Sequence, residues 1–382
     1  RPEAERQLIG KDFPRIDIPA KTDGSAVYGV DVKLPDMLHG AVRLAPVWRA
    51  DVEKIDDKTV LAMPGVVAVV KVPRGAVVVA RTWWQAKQAA DALTITFTKT
   101  DHDGWSSAQQ SADMRAGLDK PDAPVVMIKG DVKDALQGAA KKIEAIYEVP
   151  MLAHMCMEPS VCTAMVASDR VDLWIPTQDH DIAVEEAAAA AGLSNDKVFI
   201  STPYLGGGFG RKGRGEIVTQ AVLASKAVGG KPVKVMWSRE DDTQQGAYRP
   251  AMMARFSASL AADGKMTALD MLLSGPQMGR EYKHVKFEKN ADPLTIASLV
   301  NNKYQVPNQS LSHTVVEVPL PLSPWRSVSS SQNAFYLESF IDEVAAAAGK
   351  DPVQFRLDLL AQGAAGEGFD GTFALEGAAL TM

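Results

Sequence analysis

The sequence predicts an α+β protein of two or three units, with mixed sheets and flanking helices. Three observations predict it. The 382 residues are too many for one ordinary core. Short β-type runs crowd the first hundred residues around one helical stretch, and strands alternate with helices, one of them alanine-rich, farther on. With 46% hydrophobic and 23% charged residues, the composition is that of a soluble globular chain.

Taken in order, "GAVRLAP" (Gly40 to Pro46), "VVAVVKV" (Val66 to Val72), "GAVVVA" (Gly75 to Ala80) and "LTITFT" (Leu93 to Thr98) read as strands. "TWWQAKQAADAL" reads as a helix capped by Thr82, with Trp83, Ala86, Ala90 and Leu93 on one side. These elements make a small α+β domain over residues 8–100. The polar stretch from Thr100 to Pro124 is the best boundary, and residues 101–124 are expected to be a linker. Beyond it "KKIEAIYEVP" and "VDLWIPTQ" read as strands, and "DIAVEEAAAAAGL" as a helix ending at Gly192. "KVFISTPYL" is a strand that leads into a glycine-rich loop, and "EIVTQAVLASKAVGG" is the helix that leaves it. "PVKVMWS" follows, then a hairpin turning at Asp263-Gly264. Two helices close the second domain, one stopped by Gly349 and the next opened by Asp351-Pro352. That domain is expected to span residues 125–360, with 361–382 a loosely organised tail.

Composition removes several function classes. A net charge of -6 gives no general attraction to nucleic acid or to an anionic membrane. The longest apolar candidate, Val66 to Ala80, is interrupted by Lys71, Pro73 and Arg74, and reads as two strands around a turn. The only cysteines, Cys156 and Cys162, cannot ligate an iron–sulfur cluster by themselves. The chain opens on a charged segment without the apolar core of a signal peptide. No nucleophile motif accompanies any histidine, so a Ser–His–Asp site is not expected.

Chemistry concentrates in four stretches. In "YLGGGFGRKGRGE" (Tyr204 to Glu216) a glycine cluster lies between a strand and a helix, where free amides and a helix N-terminus suit an anion. Its "GFGRKG" formally matches the dinucleotide pattern G-x-G-x-x-G, with Glu240 after the next strand, although Arg211 and Lys212 fit that fold poorly. A structural turn is the plain alternative. "HMCMEPSVC" gathers His154, Cys156 and Cys162, one ligand short of a usual zinc site, and reads as a packed segment with buried thiols. "WIPTQDH" ends a strand on Thr177, Gln178, Asp179 and His180, where Asp179 or Asp181 can cap the helix that follows. In "PLPLSPWRSVSSSQ", Arg326 can hold an anion, with Ser329 to Ser331 adding donors, or the loop is simply rigid and capped.

Together "GGGFGRK", "WIPTQ", "HMCMEP", "YRPAM" and "PWRSVSSSQNAFYLESFIDEVA" resemble, in order and spacing, the molybdenum-binding large subunit of the xanthine dehydrogenase/aldehyde oxidase family. The isoquinoline 1-oxidoreductase β-subunit type of aldehyde dehydrogenase is the nearest form. "IPAKTDGSAVYGVDVKLPDMLHGAVRLAP" and "MPGVVAVV" resemble that family's α/β-hammerhead domain, and the likeness runs from about Leu8 to Leu360. The resemblance implies a hammerhead domain followed by a mixed-sheet molybdopterin-binding domain. It implies that Gly206, Gly207, Gly208, Phe209, Gly210 and Arg211 lie against a molybdopterin cytosine dinucleotide, that Gln178 bonds a ligand of the molybdenum, and that Arg326 stands nearby in a second loop. It implies no protein ligand to the metal, and makes the dinucleotide match coincidental. It further implies a [2Fe–2S] small subunit, a cytochrome c acceptor, a periplasmic location (cytoplasmic is the alternative) and a small-molecule substrate, an aldehyde or an N-heterocycle. Nucleic acid is not an expected partner.

The pattern ends near Leu360. The later domain and the glutamate that serves the family as general base are not found, so the chain reads as the earlier part of a longer enzyme or one chain of a split subunit. Gly213 stands where xanthine-oxidising members often carry an acid, with Glu216 displaced, so purine recognition is not implied. The alternatives are a cofactor-free assembly module and an NAD(P)-dependent dehydrogenase built on "GFGRKG".

Overall fold

The computed structural model describes Pro2, residues 5–282, Val285, Phe287, residues 291–361 and the backbone of 372–375 and 378–381. In the first part lie β1 (Leu38–Leu44), β2 (Val52–Asp56), β3 (Val66–Val72), β4 (Gly75–Ala80), α1 (Trp83–Ala92), β5 (Thr94–Phe97) and α2 (Ser107–Leu118). Next come β6 (Val125–Lys129), β7 (Lys141–Val149), β8 (Val161–Val166), β9 (Val171–Trp174), α3 (His180–Ala191), β10 (Val198–Ser201), α4 (Glu216–Ala227) and β11 (Val233–Met236). The last are β12 (Met252–Leu260), β13 (Met266–Gly275), β14 (Asn308–Val315), α5 (Ser330–Ala347), α6 (Pro352–Ala361), and the short antiparallel pair β15 (Thr372–Leu375) and β16 (Ala378–Thr381). Otherwise the expected tail from 362 onward lies outside the described residues.

One mixed sheet has the order β10-β9-β8-β11-β1-β4-β3. Its β1 pairs parallel with β11 and antiparallel with β4, so strands of the first hundred residues share a sheet with strands of residues 161–236. The sheet thus crosses the boundary that composition suggests. β4 shows why: all of "GAVVVA" is buried, because Val77 and Val79 pack under α3 and α4 while Ala76, Val78 and Ala80 pack under α1. A strand covered on both faces is apolar throughout instead of alternating.

The second sheet has the order β6-β14-β13-β12-β7. Along β12, Met252, Ala254, Phe256, Ala258 and Leu260 face one core with Tyr336 and Phe340 of α5. Phe256 meets the Phe340 ring edge-on, with centroids 5.7 Å apart. The alternate residue Met253 faces Met114 and Leu118 of α2. This corrects the expected linker over 101–124. Ser106 caps α2 by accepting from Gln109 N, and Met114 and Leu118, one turn apart, anchor it on the sheet. Polar residues on the rest of that helix hid its short apolar face.

Candidate functional site

The glycine loop joins β10 to α4 and is fastened from below by Glu158. This buried carboxylate accepts from Gly206 N at 3.1 Å, from Val30 N at 3.2 Å and from the ammonium of Lys212. The side chains of Glu158 and Lys212 are each 5% exposed, so the pair is a desolvated strut. From the side, Gln178 N donates to Lys212 O at 3.0 Å and Gln178 Oε1 accepts from Gly210 N at 2.9 Å. Asp179, next to it, caps α3 by accepting from Ile182 N.

Between these fixings the main chain takes conformations that favour glycine. Gly207, Phe209 and Gly210 take positive φ of 92°, 55° and 103°. A Cβ at Gly208 would collide with the Gln178 carboxamide, and one at Gly210 with Pro324 O. The amides of Gly207, Gly208 and Phe209 donate to nothing among the described residues, and neither does the Gln178 carboxamide nitrogen. Unpaired donors on a fixed backbone suit a group rich in oxygen or sulfur acceptors.

A second loop closes against the first. Ser323 Oγ donates to Gly210 O at 3.1 Å, and the buried His154 bonds Pro324 O through Nε2 at 2.9 Å. Desolvation holds His154 below the usual imidazole range. Cys156 Sγ donates to Gly208 O at 3.2 Å, and burial pushes its thiol up. Beyond Pro324, Arg326 is exposed and its side chain has no hydrogen bond or ion pair among the described residues. Ser327 and Val328 follow with φ of 71° and 56°. For a β-branched residue this is strain, of the kind that clusters at ligand sites.

The structure therefore gathers Gln178 and Gly206 to Gly210 in one place, and attaches the Arg326 loop to them. Arg211 is placed differently. Its guanidinium is 3% exposed, bonds Glu216 at 2.7 Å, lies 3.7 Å from Asp242 and sits over the Trp237 ring, so it braces the loop from inside. Sequence reasoning missed Glu158, His154 and Ser323 as loop fixings. "HMCMEP" presents soft ligands, yet its acid, Glu158, does the fastening. The three soft ligands themselves diverge: Cys162 lies within β8, away from the partners of His154 and Cys156. The "GFGRKG" match also lacks its fold. β10 and β11, on either side of α4, are separated in the sheet by β9 and β8.

Fold and site define an α+β protein whose glycine loop presents unpaired main-chain amides beside one free carboxamide nitrogen. More particularly, the chain belongs to the family of the molybdopterin cofactor-binding domain, which matches residues 119–359. It is 29% identical over 373 residues to the isoquinoline 1-oxidoreductase subunit beta of Brevundimonas diminuta, covering 92% of this chain and 46% of that one. It is 30% identical over 379 residues to a membrane-bound aldehyde dehydrogenase of Gluconacetobacter polyoxogenes, a protein named for pyrroloquinoline quinone, covering 94% of this chain and 49% of the relative. The chain thus spans about half the length of these curated relatives. The fold matches the aldehyde oxidoreductase of Desulfovibrio gigas with a TM-score of 0.74 at 22% identity, over 91% of this chain and 43% of that one. The resemblance read from the motifs is borne out.

Proposed function

We propose that this chain is the cofactor-cradling part of a molybdenum hydroxylase large subunit that oxidises an aldehyde or an N-heterocycle with water as the oxygen source. The observation that carries the reading is the donor set: three consecutive unpaired amides, Gly207 to Phe209, beside the free carboxamide nitrogen of Gln178. When bound, the molybdenum cofactor supplies the two-electron oxidation and the oxygen transfer. The amides bind its acceptor atoms, Gln178 donates to a ligand of the metal, and Arg326 supports the group from the second loop. Gly208 and Gly210 allow the approach, since a side chain at either would strike Gln178 or Pro324.

The cofactor is the cytosine dinucleotide form. Electrons leave through [2Fe–2S] clusters on a small subunit and then a cytochrome c, because the two buried thiols of this chain cannot hold a cluster. A further segment or second large-subunit chain supplies the general base. Residues 8–100 serve as the hammerhead-like domain, and the complex works in the periplasm.

The test is metal analysis of the purified complex, with wild type against Gly208→Val. Valine would displace the Gln178 carboxamide, so molybdenum should fall at least tenfold while partner subunits still co-purify. Full molybdenum in the variant would overturn the cradle assignment. A wild-type complex without molybdenum, its partners still bound, would favour the assembly module.

A further inference from the structure

A cavity of about 370 Å³ lies between the Pro73–Arg74 turn of the β3–β4 hairpin, α3, the first turn of α4 and Glu281–Tyr282. Small-molecule sites run from ~300 to ~1,000 Å³. Leu44, Trp48, Ile182, Trp237 and Tyr282 give it flat, largely apolar walls.

Its charges are not equivalent. Glu216 is paired with Arg211 and Arg214, and Glu281 with Arg214 and Arg280. Glu186 accepts from Thr219 Oγ1 at 2.7 Å, and Glu185 is exposed. Arg74 differs. It has no carboxylate within ion-pair distance among the described residues. Its guanidinium lies 3.7 Å over the Trp48 ring, and Nη2 donates to Ala45 O at 3.3 Å and Gln245 Oε1 at 3.1 Å. Nε is buried without a partner, and Nη1 makes no hydrogen bond among the described residues. Burial lowers its pKa to about 10, which still leaves it charged at neutral pH.

The backbone adds a second observation. Pro73 occupies the first central position of the turn, and Arg74 the second with φ 62°, the place that a type II turn gives to glycine. Strain tolerated by a long charged side chain points to a use for that side chain. Glu216 attracts Arg74 without pairing with it, and a partly desolvated cation of this kind gains from an anion; with Nη2 taken and Nε buried, Nη1 is the group left to donate to a carboxylate.

We propose that this cavity binds a planar aromatic carboxylate, its ring against the aromatic walls and its carboxylate on Arg74. The assignment rests on this chain's own residues and not on the cofactor, so the two readings fail separately.

The experiment is isothermal titration of the purified complex with benzoate, benzamide and benzylamine, for wild type and Arg74→Gln. Benzoate should bind wild type at least tenfold tighter than either other probe, and at least tenfold tighter than it binds the variant. Molybdenum content should be equal in the two proteins. If the variant does not fold, the comparison among probes on wild type decides. Equal affinity for benzoate and benzamide, tighter binding of benzylamine to the glutamates, no binding of any probe, or a folded variant that keeps its benzoate affinity would each overturn the proposal.

Discussion

From Gly207 to Phe209 the main chain holds amides that donate to nothing among the described residues, whereas from Arg211 to Glu216 every charged side chain has a partner. The two stretches are adjacent, and both look like parts of one basic, glycine-rich loop. Their difference teaches that cations next to free amides can be paired within the protein itself. Arg211, Lys212 and Arg214 are spent on Glu216, Asp242, Glu158 and Glu281, and this bracing leaves the preceding amides fixed and free.

The strongest way to break the comparison is Lys212→Met. It leaves Glu158 buried and unpaired, so stability should fall by about 3–5 kcal/mol. Urea unfolding measures it, and molybdenum should be lost together with the fold. A loss below about 1 kcal/mol would show that the pair does not secure the loop.

Glu216 sharpens the same contrast through pH. Burial pushes its carboxyl up, but Arg211 and Arg214 overcome this and hold it at about 2, against an ordinary 4.5. A depressed pKa gives stability that is fully present above the unfolded value and lost as pH falls through the folded one. Wild type should therefore lose stability relative to Glu216→Gln between about pH 4.5 and 2. Parallel curves over that window would remove Glu216 from the bracing.

Within the cradle the expected cost to stability is smaller. Gln178→Ala removes the acceptor of Gly210 N, worth about 1 kcal/mol, and the free donor with it. Molybdenum content should drop far more than stability does, and an unchanged metal content would exclude Gln178 as a contact. Arg326→Ala should be the mildest in unfolding, within about 0.5 kcal/mol, because its side chain is exposed and unpaired among the described residues. Its effect should be read in metal retention alone.

Much of the fold was legible. The capping Thr82, the Asp263-Gly264 turn, the apolar run of β4 and the glycine stops at Gly192 and Gly349 all act within a few residues, and the structure places them where their chemistry predicts. The glycine loop between a strand and a helix was legible too, and the structure sets Gln178 beside it. The helix over 107–118 was not, because its anchoring contacts are made by Met114 and Leu118 on strands far along the chain. Nor was the single sheet that joins β1 and β4 to β8 and β11.

By itself the sequence determined the local elements, the glycine loop and the motif order that points to a molybdopterin-binding family. Only the tertiary structure decided which cations are consumed, which amides stay free and which guanidinium groups form no ion pair. The reason is distance along the chain. Lys212 meets Glu158 across 54 residues, and His154 meets Pro324 across 170. No local periodicity carries such pairings; they exist only once packing brings the partners together and excludes water from between them.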